Sequence, residues 1–179
     1  MIVGIIIGII VILAWIIFIQ YNSIIKLKMK VNQSKSGIDV YCQQRFDLIP
    51  NLVEAVKGYM NYEKEVFENI TQLRTQYNNT KDLKTGEEIN RKINNIIAVA
   101  ENYPDLKASE QFSNLQRNLE KMESQLQAAR RIYNIDVTNY NIKINTIPFN
   151  IIANICGFKS ELLFEIEDDN DRKNIKVEI

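Results

Sequence analysis

The stretch Phe112 to Ile147, FSNLQRNLEKMESQLQAARRIYNIDVTNYNIKINTI, decides the fold. Its apolar residues Phe112, Leu115, Leu119, Met122, Leu126, Ala129 and Tyr133 succeed one another at alternating steps of three and four. After a further step of four to Val137 the pattern resumes through Tyr140, Ile144 and Ile147. Such spacing keeps one face of an α-helix apolar throughout, with one slip of the kind that locally relaxes a supercoil. A seam this long needs cover, either from other helices of the same chain or from the matching face of a second copy. Upstream helices with stripes of their own favour cover from within, because amphipathic helices joined by short loops bury one another.

Working outward, Pro104 stops a shorter helix that carries Ile89, Ile93, Ile96, Ala100 and Tyr103 on one face. The polar run Asn78–Gly86 before it has the composition of a loop. A further stripe, Leu52, Val56, Tyr59, Val66, Ile70, Leu73 and Tyr77, predicts a helix that begins near Pro50. Ahead of that proline, Ile24, Leu27, Val31, Ile38, Tyr41 and Leu48 mark one more, interrupted by Ser34 and Arg45 and ending near Asp47–Ile49. The expected architecture is all-α: an N-terminal transmembrane helix followed by an antiparallel four-helix bundle of long helices.

The transmembrane expectation rests on Met1–Ile19, which contains no charged side chain and is dominated by isoleucine. At ~1.5 Å per residue this run measures ~28 Å, the thickness of a bilayer's hydrocarbon core. It lacks the basic start and small-residue cleavage site of a secretory signal, so it is expected to stay as an anchor. Gly4 and Gly8 form a GxxxG, a candidate helix-dimer face in a lipid-embedded helix. Lys26, Lys28, Lys30 and Lys35 follow the span closely, which predicts a short N-terminus outside and a cytoplasmic bundle. Residues 1–20 are thus the expected anchor and 21–158 the expected bundle domain, with a short amphipathic helix near 147–158. Residues 159–179 form an acidic tail with Glu165, Glu167, Asp168, Asp169 and Asp171, expected to be disordered.

Composition narrows the chemistry. Lysine plus arginine number 22 and aspartate plus glutamate 22, so no net charge argues for nucleic acid. Histidine is absent, which removes the commonest general base and metal ligand. Cys42 and Cys156 lie in no CxxC and read as semi-buried thiols, with a disulfide or redox pair as the other option. The sequence holds no P-loop, dinucleotide fingerprint or nucleophile elbow. A di-iron bundle site needs a Glu-x-x-His pair that this chain lacks. An enzyme is not expected, nor any cofactor or metal.

Interaction is the expected function, and four sets of residues are candidates for it. Arg45, Asp47 and Asn51 surround the first predicted turn, Asn102 and Asp105 lie in Glu101–Asp105, and Arg130 and Arg131 sit on the long helix. Together they form a candidate docking surface. The alternative is structural: Asp47 caps a helix, the arginines pair with glutamates such as Glu65 or Glu68, and Asn102 and Asp105 serve turn chemistry. The last set is Ile151, Ile152, Ile155 and Phe158. An even number of antiparallel passes returns the end of the long helix to the bilayer, where this segment would lie on the membrane surface. The alternative packs it against the open end of the bundle. Expected partners are the bilayer through residues 1–20, an unidentified protein, and a second copy if the chain self-associates.

Several blocks resemble one family. Tyr21-Asn22-Ser23, the run Gln44-Arg45-Phe46-Asp47-Leu48-Ile49-Pro50-Asn51-Leu52-Val53, and Ala100-Glu101-Asn102-Tyr103-Pro104-Asp105-Leu106-Lys107-Ala108 look like LemA signatures. So do Ala129-Arg130-Arg131 with Tyr133-Asn134, and Pro148, Asn150, Ile152-Ala153 and Gly157-Phe158. These blocks skip Asn78–Glu88 and stop at Phe158. The resemblance implies a bacterial membrane protein with one N-terminal span, a helical-bundle domain and no established catalytic residues. Some of its relatives are tied to membrane vesicle formation. The expected function is therefore a membrane-anchored scaffold or adaptor, with membrane shaping as the alternative.

Overall fold

The computed structural model describes residues 1–57 and 64–164, the side chains of 64–67 excepted. Every element in it is helical: α1 (Ile2–Phe46), α2 (Ile49–Lys57), α3 (Lys64–Thr80), α4 (Leu83–Ala100), α5 (Pro104–Lys107), α6 (Glu110–Asn145) and α7 (Phe149–Cys156). The all-α fold is as the periodicity predicts. Two compact units divide the chain, one of Gln33–Arg131 and one of Met1–Asn32 with the residues from Ile132 onward. Both α1 and α6 contribute a segment to each. Tyr59 and the side chains of Glu65 and Val66, which the sequence placed on the second stripe or near it, lie outside the described residues.

In the unit Gln33–Arg131, segments of α1, α3, α4 and α6 share one core. Helix α3 runs antiparallel to α1, with Tyr77 bonded to Asp39 and Arg74 to Asp47. Helix α6 runs antiparallel to α4, with Arg130 on Glu87 and Glu123 at the level of Arg45, Asn90 and Asn94. The buried line of α1 here is Ser34, Ile38, Cys42, Arg45 and Phe46. Ser34 and Arg45 therefore belong to the stripe rather than interrupting it, and Cys42 takes the buried place expected of Tyr41. Both cysteines are free thiols, Cys42 buried and Cys156 exposed.

The expected loop Asn78–Gly86 is largely helical. Only Lys81 and Asp82 separate α3 from α4, with Lys81 in a left-handed conformation at φ 50°. Asp82 caps α4, its carboxylate accepting from the Thr85 amide at 3.0 Å and the Thr85 hydroxyl at 2.9 Å. Gly86 reads as a loop residue but sits inside α4. A Cβ there would lie 2.9 Å from the Tyr77 ring, so the glycine serves close approach rather than chain reversal. Tyr77 is itself pinned, its hydroxyl donating to Asp39 at 2.9 Å and its ring edge-on to Phe46. At the other end of α4, Pro104 stops the helix as expected and opens α5 at its first position.

In the second unit, Ile24 and Val31 of α1 are buried, as are Tyr133, Val137, Tyr140 and Ile144 of α6. All of Met1–Ile19 is exposed. The long seam stops at Ile144, because α6 ends at Asn145 and Ile147 is 77% exposed in the turn beyond it. Helix α7 follows and ends at Gly157, which takes φ 74° while the Phe158 amide reaches back to the Ala153 carbonyl at 2.9 Å. Its three isoleucines do not share a face. Ile152 is buried with Ala153, whereas Ile151 and Ile155 are exposed at 58% and 79%. At 3.6 residues per turn, positions four apart nearly eclipse and adjacent ones diverge by ~100°. Residues 159–164 also depart from expectation. They run extended along α6, while the acidic positions from Glu165 onward lie outside the described residues.

Candidate interaction sites

The first site grows from Arg45. Helix α1 carries it into the core of the unit Gln33–Arg131, where it is 1% exposed. Its guanidinium donates to Asn90 Oδ1 at 3.1 Å and to Asn94 Oδ1 at 2.6 Å, and it forms an ion pair with Glu123. Glu123 also faces Arg130 at 3.9 Å, and Arg130 is held by Glu87 at 2.6 Å. The sequence Arg45–Glu123–Arg130–Glu87 thus alternates in sign and sums to zero, the condition under which charge tolerates burial. Burial, and then the like charge of Arg130, lower the Arg45 pKa to about 10, so it stays cationic at neutral pH.

Beside this network, α4 and α6 leave an open groove of about 410 Å³ lined by Arg45, Asn94, Glu101, Glu120, Glu123 and Gln127 among others. Amides and carboxylates line it together with Ile97, Ala98 and Leu119, so it offers hydrogen-bonding groups beside an apolar wall. No group of three or more His, Cys, Asp or Glu side chains among the described residues is placed to hold a metal.

The predicted docking surface therefore comes apart. Arg45 and Arg130 are buried and internally paired, with Glu123 and Glu87 as the glutamates that meet them. The expected pairing with Glu65 falls outside the described side chains. Asp47 takes Arg74 at 2.5 Å and Gln43 at 3.1 Å. Asn51, Asn102, Asp105 and Arg131 are exposed.

The second site went unnoticed in the sequence. Tyr133-Asn134 and Tyr140-Asn141 repeat one dipeptide seven residues apart on α6. The Tyr140 hydroxyl donates to the Lys159 carbonyl at 3.0 Å, and the Asn141 amide donates to the Glu161 carbonyl at 2.8 Å while accepting from the Glu161 amide at 2.9 Å. One repeat along, Tyr133 donates to the Leu162 carbonyl at 3.1 Å, and Asn134 donates to the Phe164 carbonyl at 3.0 Å and accepts from its amide at 2.7 Å. Burial raises both tyrosine pKa values, reinforced by Glu161 at Tyr133 and partly opposed by Lys28 at Tyr140, so the phenols keep the protons they donate. Lys28 pairs with Glu161 and lies 5.4 Å from the centre of the Tyr140 ring. A Tyr-Asn dipeptide recurring at the heptad interval was the available signal.

The third site is the outer face of α7. Phe158 packs on Tyr21 with ring centroids 5.8 Å apart, which sets the end of α7 beside the end of the apolar run. Ile147, Ile151 and Ile155 are exposed there. Phe158, expected at the membrane surface, is half-buried in this aromatic contact.

An exposed run of large apolar side chains the length of a hydrocarbon core is unfavourable in water and favourable in lipid. Continuing as it does into a helical domain with paired internal charges, it defines a membrane-anchored, all-helical protein. The chain belongs to the LemA family, whose sequence profile matches residues 34–179. That range includes Asn78–Glu88 and the segment past Phe158, which the sequence motifs passed over, and leaves out Tyr21-Asn22-Ser23. The chain is 26% identical to Protein LemA of Metamycoplasma hominis over 152 aligned positions, covering 82% of this chain and 69% of that protein. It is 22% identical to Magnetosome protein MamQ 2 of Paramagnetospirillum magneticum, with 87% of this chain and 68% of the relative covered. Magnetosome protein MamQ of Magnetospirillum gryphiswaldense matches at 21%, covering 91% and 71%.

Proposed function

We propose that this protein is a non-enzymatic scaffold at the cell membrane, with a short N-terminus outside, its helical domain in the cytoplasm, and α7 lying in the membrane interface. One observation carries it. The exposed face Ile147, Ile151 and Ile155 belongs to a segment stacked on Tyr21, next to an apolar run that itself needs lipid. The lysines at 26, 28, 30 and 35 support the cytoplasmic orientation. Docking of a partner falls to the exposed Asn51, Asn102, Asp105 and Arg131, since Arg45 and Arg130 are occupied internally.

Two measurements test this. A single cysteine at the exposed Asn79, in a variant lacking Cys42 and Cys156, resists a membrane-impermeant thiol reagent in intact cells and reacts after lysis. Labelling in intact cells reverses the orientation. A spin label on Ile151→Cys or Ile155→Cys, in the full chain reconstituted in bilayers, is relaxed more by oxygen than by a water-soluble nickel chelate. Relaxation equal to that of a label at Asn79 removes α7 from the interface. Membrane shaping is the second function the same isoleucine face favours. Vesicle deformation by the full chain, lost on Ile151→Asp with Ile155→Asp, supports shaping over scaffolding.

A further inference from the structure

We propose that the Tyr133–Asn134 and Tyr140–Asn141 pairs of α6 form a binding site for an extended peptide read through its main chain, with residues 159–164 of this chain as the resident and exchangeable ligand. The site does not depend on the orientation or the membrane contact proposed above.

The geometry is built for an extended chain. Each asparagine carboxamide both donates to and accepts from one residue, Glu161 or Phe164. A residue presents its own N–H and C=O to the same side only when extended, so a carboxamide pairing with both selects that conformation, as a neighbouring β-strand does. The repeat lengths also agree. Seven residues of helix advance ~10.5 Å, and three residues of an extended chain with a threefold, polyproline-II-like twist advance ~9.3 Å and return to the same side, so a second pair one heptad along meets the ligand three residues on. Lys159 to Leu162 and Glu161 to Phe164 are such steps.

All six hydrogen bonds go to main-chain atoms, while Leu162 is 85% exposed and Leu163 46% exposed. Apart from the Lys28–Glu161 pair, little in this contact requires a particular side chain at 162 or 163. A segment held in this way can be replaced by another in the same conformation.

Amide hydrogen exchange on the full chain in detergent is the first measurement. The Glu161 and Phe164 amides exchange slowly, and Asn134→Leu with Asn141→Leu speeds both at least tenfold while leaving the Ile24 and Val31 amides of the same unit unchanged. Unchanged exchange at 161 and 164 overturns the proposal. The second uses a variant ending at Phe158 and a fluorescent peptide of residues 158–165. The peptide binds saturably. Its affinity falls about tenfold with Asn141→Leu, which removes two hydrogen bonds. Alanine at the peptide's positions 162 and 163 leaves binding within about threefold, whereas N-methylation at 161 and 164 abolishes it. Absence of binding, or equal binding of the N-methylated peptide, overturns the proposal. If the shortened variant loses its helical circular dichroism, the exchange measurement on the full chain decides alone.

Discussion

Arg45 and Ile151 each occupy the place that elementary chemistry assigns to the other. In the unit Gln33–Arg131 a guanidinium is 1% exposed, while in the unit built from Met1–Asn32 and Ile132–Phe164 isoleucines stand 58% to 79% exposed on α7. The inversion has a separate cause in each case. Arg45 tolerates burial because two asparagines and a glutamate meet it, and that glutamate is shared with a second arginine held by Glu87. The exposure of Ile151 is accounted for by the interfacial position proposed for α7, just beyond which Phe158 packs on Tyr21 at the end of the apolar span. A polar residue in a stripe thus signals a partnered interior.

The comparison breaks most visibly at Arg45. Arg45→Ala leaves the buried Asn90 and the half-buried Glu123 without their partner and lowers stability by about 3–5 kcal/mol, measured by urea unfolding of the full chain in detergent. Arg45→Met combined with Glu123→Leu costs less than the two single changes summed, because no lone charge remains between them. Additive losses would mean that the two side chains do not act as a pair.

Within α7 the contrast sharpens to neighbouring residues. Ile152→Asp places a carboxylate in a buried site and costs about 2–4 kcal/mol, whereas Ile151→Asp changes stability in detergent by less than about 0.5 kcal/mol. Equal effects would put both side chains in one environment. Gly86→Ala comes next, at about 1–3 kcal/mol despite alanine's better helix propensity, since the added methyl meets the pinned Tyr77 ring.

The smallest effect is at Asp82. Its pKa is lowered by the Thr85 amide and then the Thr85 hydroxyl, so its capping is present above the ordinary carboxylate range and is lost as pH falls through the lowered folded-state value. Asp82→Ala costs about 1 kcal/mol at pH 7, and the gap between the two proteins closes on acidification into that range. A gap independent of pH would show that the carboxylate charge plays no part in the cap.

What the sequence made legible was what depends on near neighbours along the chain. The apolar length of Met1–Ile19, the helical periodicity from Phe112 to Ile144 and the stop at Pro104 are local properties, and each is present in the structure. The family was equally legible, because its blocks are short runs. Less was legible around Gly86, where a loop-like composition concealed a helix whose glycine answers to Tyr77, a residue on another helix.

The sites divide in the same way. Sequence alone determined that the chain is helical, that its first segment belongs in lipid and that no histidine chemistry is available. Only the tertiary structure decided that Arg45 and Arg130 are internal, that Ile152 turns away from Ile151 and Ile155, and that Asn134 and Asn141 hold residues 159–164. Hydropathy registers how much a side chain favours water, which suffices for periodicity and span. It is silent on which hydrogen-bond partner a distant segment supplies, and that partner is what carries a charge into the core or seats an extended chain on a helix.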